Sequence, residues 1–348
     1  MPEKIRVLEL VVSTDLGGGP IHVRDLLAGL PLEEFEVTVA GPGGGPLEKI
    51  YRELGVEFVD LPLNRLSPVN LFRVRRLIRD RRIQVVHSHG KGAGLFGRLG
   101  ARWAGVPAVH TFHGIHAEYM RLLRPIYAKM EQRLASTTDT IIHVSAGQAR
   151  EARKLEFQPT GSTEVIVNAT DYERVRLFFA HGQQVSREKL GLPPNSLILG
   201  TVARFDPVKA IDVLVEAFAI LAPKWPEANL LIVGDGPELS KLESLAEMRG
   251  VRNRVVFAGL VPDAPRYLPA MDLYVSASHR EGLPLSLLEA MVCGLPIVAT
   301  RIPGHEDVVV DNVTGLMVPP NDPRALADAA ARLLAEPERR RRMGEAFR

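Results

Sequence analysis

The residues best placed to do chemistry lie late in the chain. Glu281-Gly282-Leu283-Pro284-Leu285-Ser286-Leu287-Leu288-Glu289 carries two carboxylates with seven residues between them. Proline suits the first turn of a helix, where its missing N–H is not needed, so Pro284 marks a helix start. The first N–H groups of such a helix and its positive dipole end suit a diphosphate. A carboxylate beside it can accept hydrogen bonds from sugar or ribose hydroxyls. Glu289 is set among Leu287, Leu288, Ala290 and Met291, and a buried carboxylate usually has a specific partner. The plainer alternative is that both glutamates are solvated surface charges. Arg204 and Lys209 follow the apolar run Leu197–Ala203. Two cations at a strand end can neutralise a diphosphate and stabilise its charge as it leaves, or merely face water. Gly234-Asp235-Gly236-Pro237 reads first as a tight structural turn; Gly259 is similar, with backbone that could meet a base.

The first half is rich in histidine. Seven of the ten histidines lie before residue 150: His22, His87, His89, His110, His113, His116 and His143. The pairs His87/His89 and His110/His113 raise the question of a metal, but no carboxylate or cysteine shares their spacing. Hydrogen bonding to hydroxyls or to developing charge is the preferred use. Gly17-Gly18-Gly19 ends the first apolar run, as a bare turn or as a close approach to phosphate. Gly92-Ala93-Gly94-Leu95-Phe96-Gly97 fits the dinucleotide fingerprint, with Glu118 about 20 residues on. The motif follows the fourth strand rather than the first, however, and no acidic residue closes the next strand. Its glycines therefore read as close helix–sheet packing. Gly41-Pro42-Gly43-Gly44-Gly45 is not a phosphate loop, because no Gly-Lys-Ser/Thr follows.

These residues need a framework, and the apolar pattern supplies one. Runs at Ile5–Ser13, Glu36–Ala40, Val56–Leu61, Val85–Ser88, Ala108–Thr111 and Thr140–Val144 read as strands with helical segments between, the first helix being Pro20–Leu30. The rhythm breaks between residues 169 and 194 and then resumes. Strands at Leu197–Ala203, Asn229–Val233, Val255–Ala258, Leu273–Ser276 and Pro296–Ala299 alternate with helices at Ala210–Leu221, Pro237–Arg249, Ala264–Pro269 and Pro284–Cys293. Such alternation predicts parallel sheets covered on both faces. Two Rossmann-like domains are expected, residues 1–175 and 176–348, facing across a cleft with ligands beyond the carboxyl ends of the strands.

Composition agrees. With 348 residues, 46% hydrophobic and 24% charged, the chain can build two cores. A net charge of +2 gives no reason to expect nucleic acid as a partner. Cys293 is the single cysteine, so no intrachain disulfide and no cysteine-built metal site can form. No stretch approaches 18 uncharged apolar residues and no signal-peptide pattern is visible, which gives a cytoplasmic expectation. Leu71 to Arg82 sets Arg73, Arg75, Arg76, Arg79, Arg81 and Arg82 among Leu71, Phe72, Val74, Leu77 and Ile78. A basic amphipathic helix can lie on anionic lipid, or cover a core with a solvated basic face.

Taken together, residues 200–334 resemble the nucleotide-binding domain of the family 4 retaining glycosyltransferases, which have the GT-B fold. The likeness rests on Arg204 with Lys209, Gly234-Asp235-Gly236, the Glu281/Glu289 pair with Ala290-Met291, Gly294-Leu295-Pro296-Ile297-Val298-Ala299-Thr300, and Gly315-Leu316 with Val318-Pro319-Pro320 and Asp322. It implies that Arg204 and Lys209 hold the donor diphosphate, Glu289 the ribose hydroxyls, and that Glu281 lies near the donor sugar. Backbone at Gly282, Leu283, Pro284, Leu285 and Ser286 would contact sugar and phosphate. Gly18 and Gly19 would approach the phosphate, and His113 would face the donor sugar.

Residues 91–145 resemble bacterial transferases that elongate polyprenyl-diphosphate-linked sugars, through Lys91-Gly92-Ala93-Gly94, His110-Thr111-Phe112-His113-Gly114 and Ile141-Ile142-His143-Val144-Ser145. The implied activity moves a hexose or N-acetylhexosamine from a nucleotide sugar, UDP-linked by resemblance, to a glycan or lipid-linked acceptor, with no metal and no cofactor. A nucleotide-sugar epimerase or a non-catalytic nucleotide-sugar-binding protein on the same fold are the rivals. There are departures. Ala210 stands where the family usually has glycine, and Arg301-Ile302-Pro303-Gly304 where two glycines are common, with Glu306 or Asp307 as the following carboxylate. The family usually continues beyond Arg339-Arg340-Arg341-Arg342 with a helix that returns to the first domain. An end at Arg348 implies a truncated or naturally short C-terminus.

Overall fold

A computed structural model describes residues 3–115, 124–180 and 185–347. His116 and Glu118 lie outside the described residues. The chain divides into two compact units, Met1–Asn168 and Ala169–Arg348. In unit 1 the strands are β1 (Ile5–Leu10), β2 (Phe35–Gly41), β3 (Glu57–Asp60), β4 (Val85–His89), β5 (Ala108–Phe112), β6 (Thr140–His143) and β7 (Ser162–Val165). Between them lie α1 (Gly18–Gly29), α2 (Pro46–Glu53), α3 (Pro68–Asp80), α4 (Lys91–Ala104), α5 (Arg124–Ala135) and α6 (Ala146–Lys154). Unit 2 opens with α7 (Tyr172–Ala180) and has β8 (Leu197–Val202), β9 (Ala228–Val233), β10 (Val255–Phe257), β11 (Leu273–Ser276), β12 (Ile297–Thr300) and β13 (Gly315–Val318). Its other helices are α8 (Ile211–Leu221), α9 (Leu239–Met248), α10 (Leu285–Val292), α11 (Pro303–Glu306), α12 (Pro323–Ala335) and α13 (Pro337–Glu345).

Both sheets have all their paired strands parallel. Their orders are β3-β2-β1-β4-β5-β6-β7 and β10-β9-β8-β11-β12-β13. Each is the doubly wound order, in which the chain reverses direction between the first and fourth strands and leaves a crevice there. In unit 1 the reversal lies between β1 and β4, in unit 2 between β8 and β11.

Side chains alternate across each strand. On β1, Leu8 and Leu10 join the core under α3 and α4, while Val7, with Val11 just past the strand, joins the one under α1 and α2. Glu9 belongs by alternation to the second face, and it is buried.

The alternation read from the sequence is present, with shifted ends. The first strand stops at Leu10 rather than Ser13, and its helix begins at Gly18 rather than Pro20. Pro284 caps α10 from outside the helix rather than sitting in its first turn. Residues 264–270 form a 3₁₀ segment. The boundary falls between 168 and 169 rather than 175 and 176, because α7 packs on α10 and on residues 264–270 of unit 2. The sequence reading passed over β7, which is exposed at every position and so has no apolar pattern.

The Gly92–Gly97 motif is a packing device. It lies in the first two turns of α4. A Cβ on Gly92 would drive into the Leu63 carbonyl oxygen. On Gly94 it would come within 2.6 Å of His110 Cε1, and on Gly97 within 2.8 Å of Leu10 Cδ1. Gly92→Ala therefore costs about 1–3 kcal/mol of stability through overpacking, read as a lower urea midpoint. An unchanged midpoint would show that α4 can shift to make room.

Candidate active site

Unit 2 gathers charge beyond its strand reversal. The loop after β8 brings Lys209, and the loop after β11 brings Glu281; Lys209 Nζ lies 2.6 Å from Glu281 Oε1. Ser278 Oγ donates to the same oxygen at 2.8 Å. The two loops are also joined through backbone, His279 N–H donating to the Val208 carbonyl at 2.8 Å. Both side-chain bonds land on Oε1. Lys209 keeps two further donor positions for an anion.

Three further contacts build this wall. Gly304 lies so close to the backbone of Glu281 and Gly282 that a Cβ would fall 2.7 Å and 2.8 Å from their carbonyl oxygens. Below, Tyr274 donates to Ser286 Oγ at 2.9 Å in the first turn of α10, and burial pushes the phenol up to about 12. His305 is buried beside it. Its Nδ1 donates to the Thr300 carbonyl at 2.8 Å and its Nε2 lies 3.1 Å from Ser276 Oγ. Burial holds its pKa below the ordinary value.

Other residues singled out in the sequence have different settings. Arg204 is mostly exposed and tethered to Asp206 at 2.6 Å. An exposed pair of this kind is worth little, so the guanidinium is readily re-aimed. The Gly234 and Gly236 turn has φ of +141° and +159°. A side chain on Gly234 would strike the Ala203 carbonyl, and one on Gly236 the Phe205 backbone at 2.5 Å. Those glycines therefore hold the segment that carries Arg204. Glu289 is buried within α10, 9% exposed. The first N–H groups of that helix, over Leu285 and Ser286, have no intrahelical partner.

Unit 1 builds a different site, also across its strand reversal. Glu9 of β1 stands opposite His87 of β4 in register. Its Oε1 lies 3.0 Å from His87 Nδ1 and its Oε2 2.8 Å from His89 Nε2. Burial pushes this carboxyl up, but the two imidazoles outweigh it and hold the pKa well below the carboxylate range. Burial, with His87 beside it, lowers His89 to about 4 despite Glu9. The state near neutral pH is an ionised Glu9 and a neutral His89. A carboxylate only accepts, so His87 Nδ1 and His89 Nε2 carry protons. His89 Nδ1 is then an acceptor, and the nitrogen 3.0 Å away, His113 Nε2, donates to it. On the other side, His87 Nε2 lies 2.8 Å from Thr111 Oγ1. One charge thus fixes three imidazoles. Burial holds His113 and His110 well below the ordinary range.

The N-terminus of α1 closes over this group. A Cβ on Gly19 would meet His113 Cδ2 at 3.4 Å, whereas Gly18 faces open space. His22 of α1 stacks edge-on to His113, with centroids 4.8 Å apart. A small cavity beside His113 is lined by Lys91, His110, Tyr127 and Glu131 among others. Glu131 is tied at 2.8 Å to the fully buried Arg98.

Comparison with known proteins supplies the family. The profile described as Glycosyltransferase Family 4 matches residues 16–174, and that described as Glycosyl transferases group 1 matches residues 182–348. A D-inositol 3-phosphate glycosyltransferase of Nocardia farcinica is 32% identical over 392 residues, covering 99% of this chain and 84% of the relative. The chain is a family 4 glycosyltransferase. An Escherichia coli relative, a UDP-Gal:alpha-D-GlcNAc-diphosphoundecaprenol alpha-1,3-galactosyltransferase, is 28% identical, covering 87% of the chain and 81% of the relative. Anabaena Alr3699/HepE, crystallised with UDP and glucose, shares the GT-B fold at a TM-score of 0.82 with 21% identity, covering 99% of this chain and 93% of that one.

Within this glycosyltransferase the expected residues fall into two groups. Lys209, Glu281, Gly282 and the start of α10 form one wall in unit 2; Gly19 and His113 meet in unit 1. The sequence reading missed Glu9. In sequence Glu9 is one charge inside an apolar strand, and no carboxylate shares the spacing of the histidine pairs. The structure corrects that: Glu9 is the partner of both His87 and His89.

Glu9→Gln tests the arrangement. A glutamine presents one acceptor oxygen and one NH₂ where two N–H groups arrive. At least one imidazole must then change tautomer or lose its partner. The expected loss is about 1–3 kcal/mol of unfolding free energy, with altered ring-nitrogen shifts for His87 or His89 by NMR. An unchanged urea midpoint and unchanged shifts would mean that the two histidines do not donate to Glu9.

Proposed function

We propose that this glycosyltransferase retains configuration and moves a hexose or N-acetylhexosamine from a UDP-sugar. The acceptor is a glycan or a polyprenyl-diphosphate-linked sugar in cell-surface polysaccharide synthesis. The observation that carries the reading is the Lys209–Glu281 contact beside the open end of α10. A cation, a helix N-terminus and a carboxylate stand together, the opposite partners that a leaving diphosphate and a sugar hydroxyl need. The UDP and glucose named with the Anabaena structure, and the lipid diphosphate named in the Escherichia coli relative, support the donor and acceptor classes.

The residues divide the work. Lys209 and Arg204 take the diphosphate charge as the glycosidic bond lengthens, with no metal. Backbone at Gly282, Leu283, Leu285 and Ser286 binds phosphate and sugar, Glu281 orients the sugar, and Glu289 binds the ribose. His113 faces the donor sugar, and Gly18 and Gly19 leave room for phosphate. No nucleophile paired with a base is apparent in this set, so transfer proceeds without a covalent enzyme intermediate.

Lys209→Ala and Glu289→Ala are each expected to cut UDP release by at least about a hundredfold through lost charge stabilisation and positioning, with the activity of the zinc-free enzyme indifferent to EDTA. Near-normal turnover in either variant, or a trapped glycosyl-enzyme adduct in the mass spectrum, would overturn this assignment.

We also propose peripheral attachment to the cytoplasmic face of the membrane. Among the described residues no helix is long and apolar enough to cross a membrane. On α3, Val74 and Ile78 face the core, while Phe72 is 59% exposed and packs on Trp103, itself 42% exposed. Leu66 and Val69 are exposed nearby, as are Arg73, Arg76 and Arg79. Apolar side chains between guanidinium groups suit an anionic bilayer surface. The protein is expected to co-sediment with phosphatidylglycerol vesicles at low salt, and Leu66→Glu with Phe72→Glu to abolish this. Equal sedimentation of the double variant would remove α3 as the contact.

A further inference from the structure

The Glu9 carboxylate is 2% exposed, and its side-chain partners among the described residues are two imidazoles rather than a lysine or arginine. Buried charges are otherwise paired or placed against a metal. Beside this one, ring nitrogens converge. The candidate ligand atoms of His22, His89 and His113 all lie within 4.8 Å of one another. Two of these rings have their far nitrogen held by an oxygen that accepts: His22 Nδ1 by Asn168 Oδ1 and His89 Nε2 by Glu9 Oε2, each at 2.8 Å. Those nitrogens therefore carry the protons, and His22 Nε2 and His89 Nδ1 carry lone pairs. Two lone pairs and the His113 ring thus converge beside a buried carboxylate that only imidazole N–H groups hold.

We infer that His22, His89 and His113 form a site for a divalent transition metal, with Glu9 and Asn168 as the outer partners that orient two of the three ligands. Zinc suits three neutral imidazoles with one position open, and a histidine ligand that donates its other N–H to a carboxylate or carbonyl is the usual way such a ring is aimed. Nitrogens bound at about 2.0–2.1 Å in a tetrahedron stand roughly 3.4 Å apart. The 3.0 Å between His89 Nδ1 and His113 Nε2 must open slightly and the longer separations close, which side-chain rotation supplies. No proton is lost, since His113 need only take its other tautomer. The alternative set Glu9, His87 and His89 would have to give up both N–H bonds to the carboxylate, so it is not the one assigned.

A consequence rests on the reading of His113 given above. Metal on its Nε2 removes that ring from the donor sugar, so the zinc-loaded enzyme is inactive and a chelator restores it. The site acts as an inhibitory one.

The test is calorimetric titration of the purified full chain with zinc chloride, with cobalt(II) as the spectroscopic probe. One equivalent is expected, with visible bands of a four-coordinate cobalt centre. Asn168→Ala should weaken zinc by about 10- to 100-fold and His22→Ala by more, while His279→Ala in unit 2 leaves it unchanged. His22 lies on α1 rather than in the sheet, so its variant is expected to fold, which a thermal melt checks. Equal affinity in wild type and His22→Ala, or no cobalt bands, would overturn the metal site. Zinc that binds as expected but leaves UDP release untouched would refute the role of His113 and leave the site standing. Absence of binding in an active enzyme would refute the site alone.

Discussion

A negative charge sits inside the first sheet, and much of unit 1 answers to it. Taking a carboxylate out of water costs several kcal/mol unless hydrogen bonds replace the hydration. Glu9 meets that cost with two N–H groups from the neighbouring strand, and in doing so removes the freedom of both rings. His89 can then present only a lone pair toward His113, and His87 only a lone pair toward Thr111. Four residues from β1, β4 and β5 are locked into one proton arrangement, and His113 in the following loop inherits its orientation. Replacing any member leaves a buried donor or acceptor without its partner.

The two units apply one topology to opposite ends. In each, the first and fourth strands are neighbours, and their carboxyl ends open the crevice. Unit 2 fills its crevice from loops: Lys209 after β8 and Glu281 after β11, both partly solvated and joined by a contact that an incoming anion can compete with. Unit 1 fills its crevice from the strands themselves, so Glu9, His87 and His89 lie inside the sheet. The difference is one of rigidity. A group on a loop adjusts to a ligand, whereas a group in a strand is fixed by the register of its neighbours.

That contrast also decides what the sequence reveals. The unit 2 site is carried by short segments: nine residues hold Glu281, the helix start and Glu289, and six hold Arg204 to Lys209. Their chemistry is legible because local spacing and three-dimensional spacing coincide. The unit 1 site is assembled from residues 78 and 80 positions apart in the chain, a separation that no periodicity marks. Glu9 stands as a lone charge in an apolar strand, and His22 lies in a different element, α1. The fold itself was legible wherever strands are apolar on both faces. The exposed edge strand β7 was not, because only its backbone pairing makes it a strand.

The departures from the family pattern obey the same backbone logic. Ala210 adopts φ of +48°, the left-handed region where glycine is favoured, and it is fully buried at the start of α8. An alanine there costs about 1–2 kcal/mol. The cost is offset because α8 is anchored by Leu214, Val215 and Phe218 in the larger core of unit 2. The conformation after Lys209 is therefore kept although the residue is not the usual one. At Gly304 no such exchange is open. The obstacle is the backbone of Glu281 and Gly282, which cannot rotate away as a side chain would. Of the two glycines common in that loop, the one retained is the one whose side chain would displace the carboxylate loop itself. The residue before it is Pro303, which starts α11 without needing an N–H. Strain at Ala210 is absorbed by the core under α8, whereas a side chain at Gly304 would move Glu281 away from Lys209.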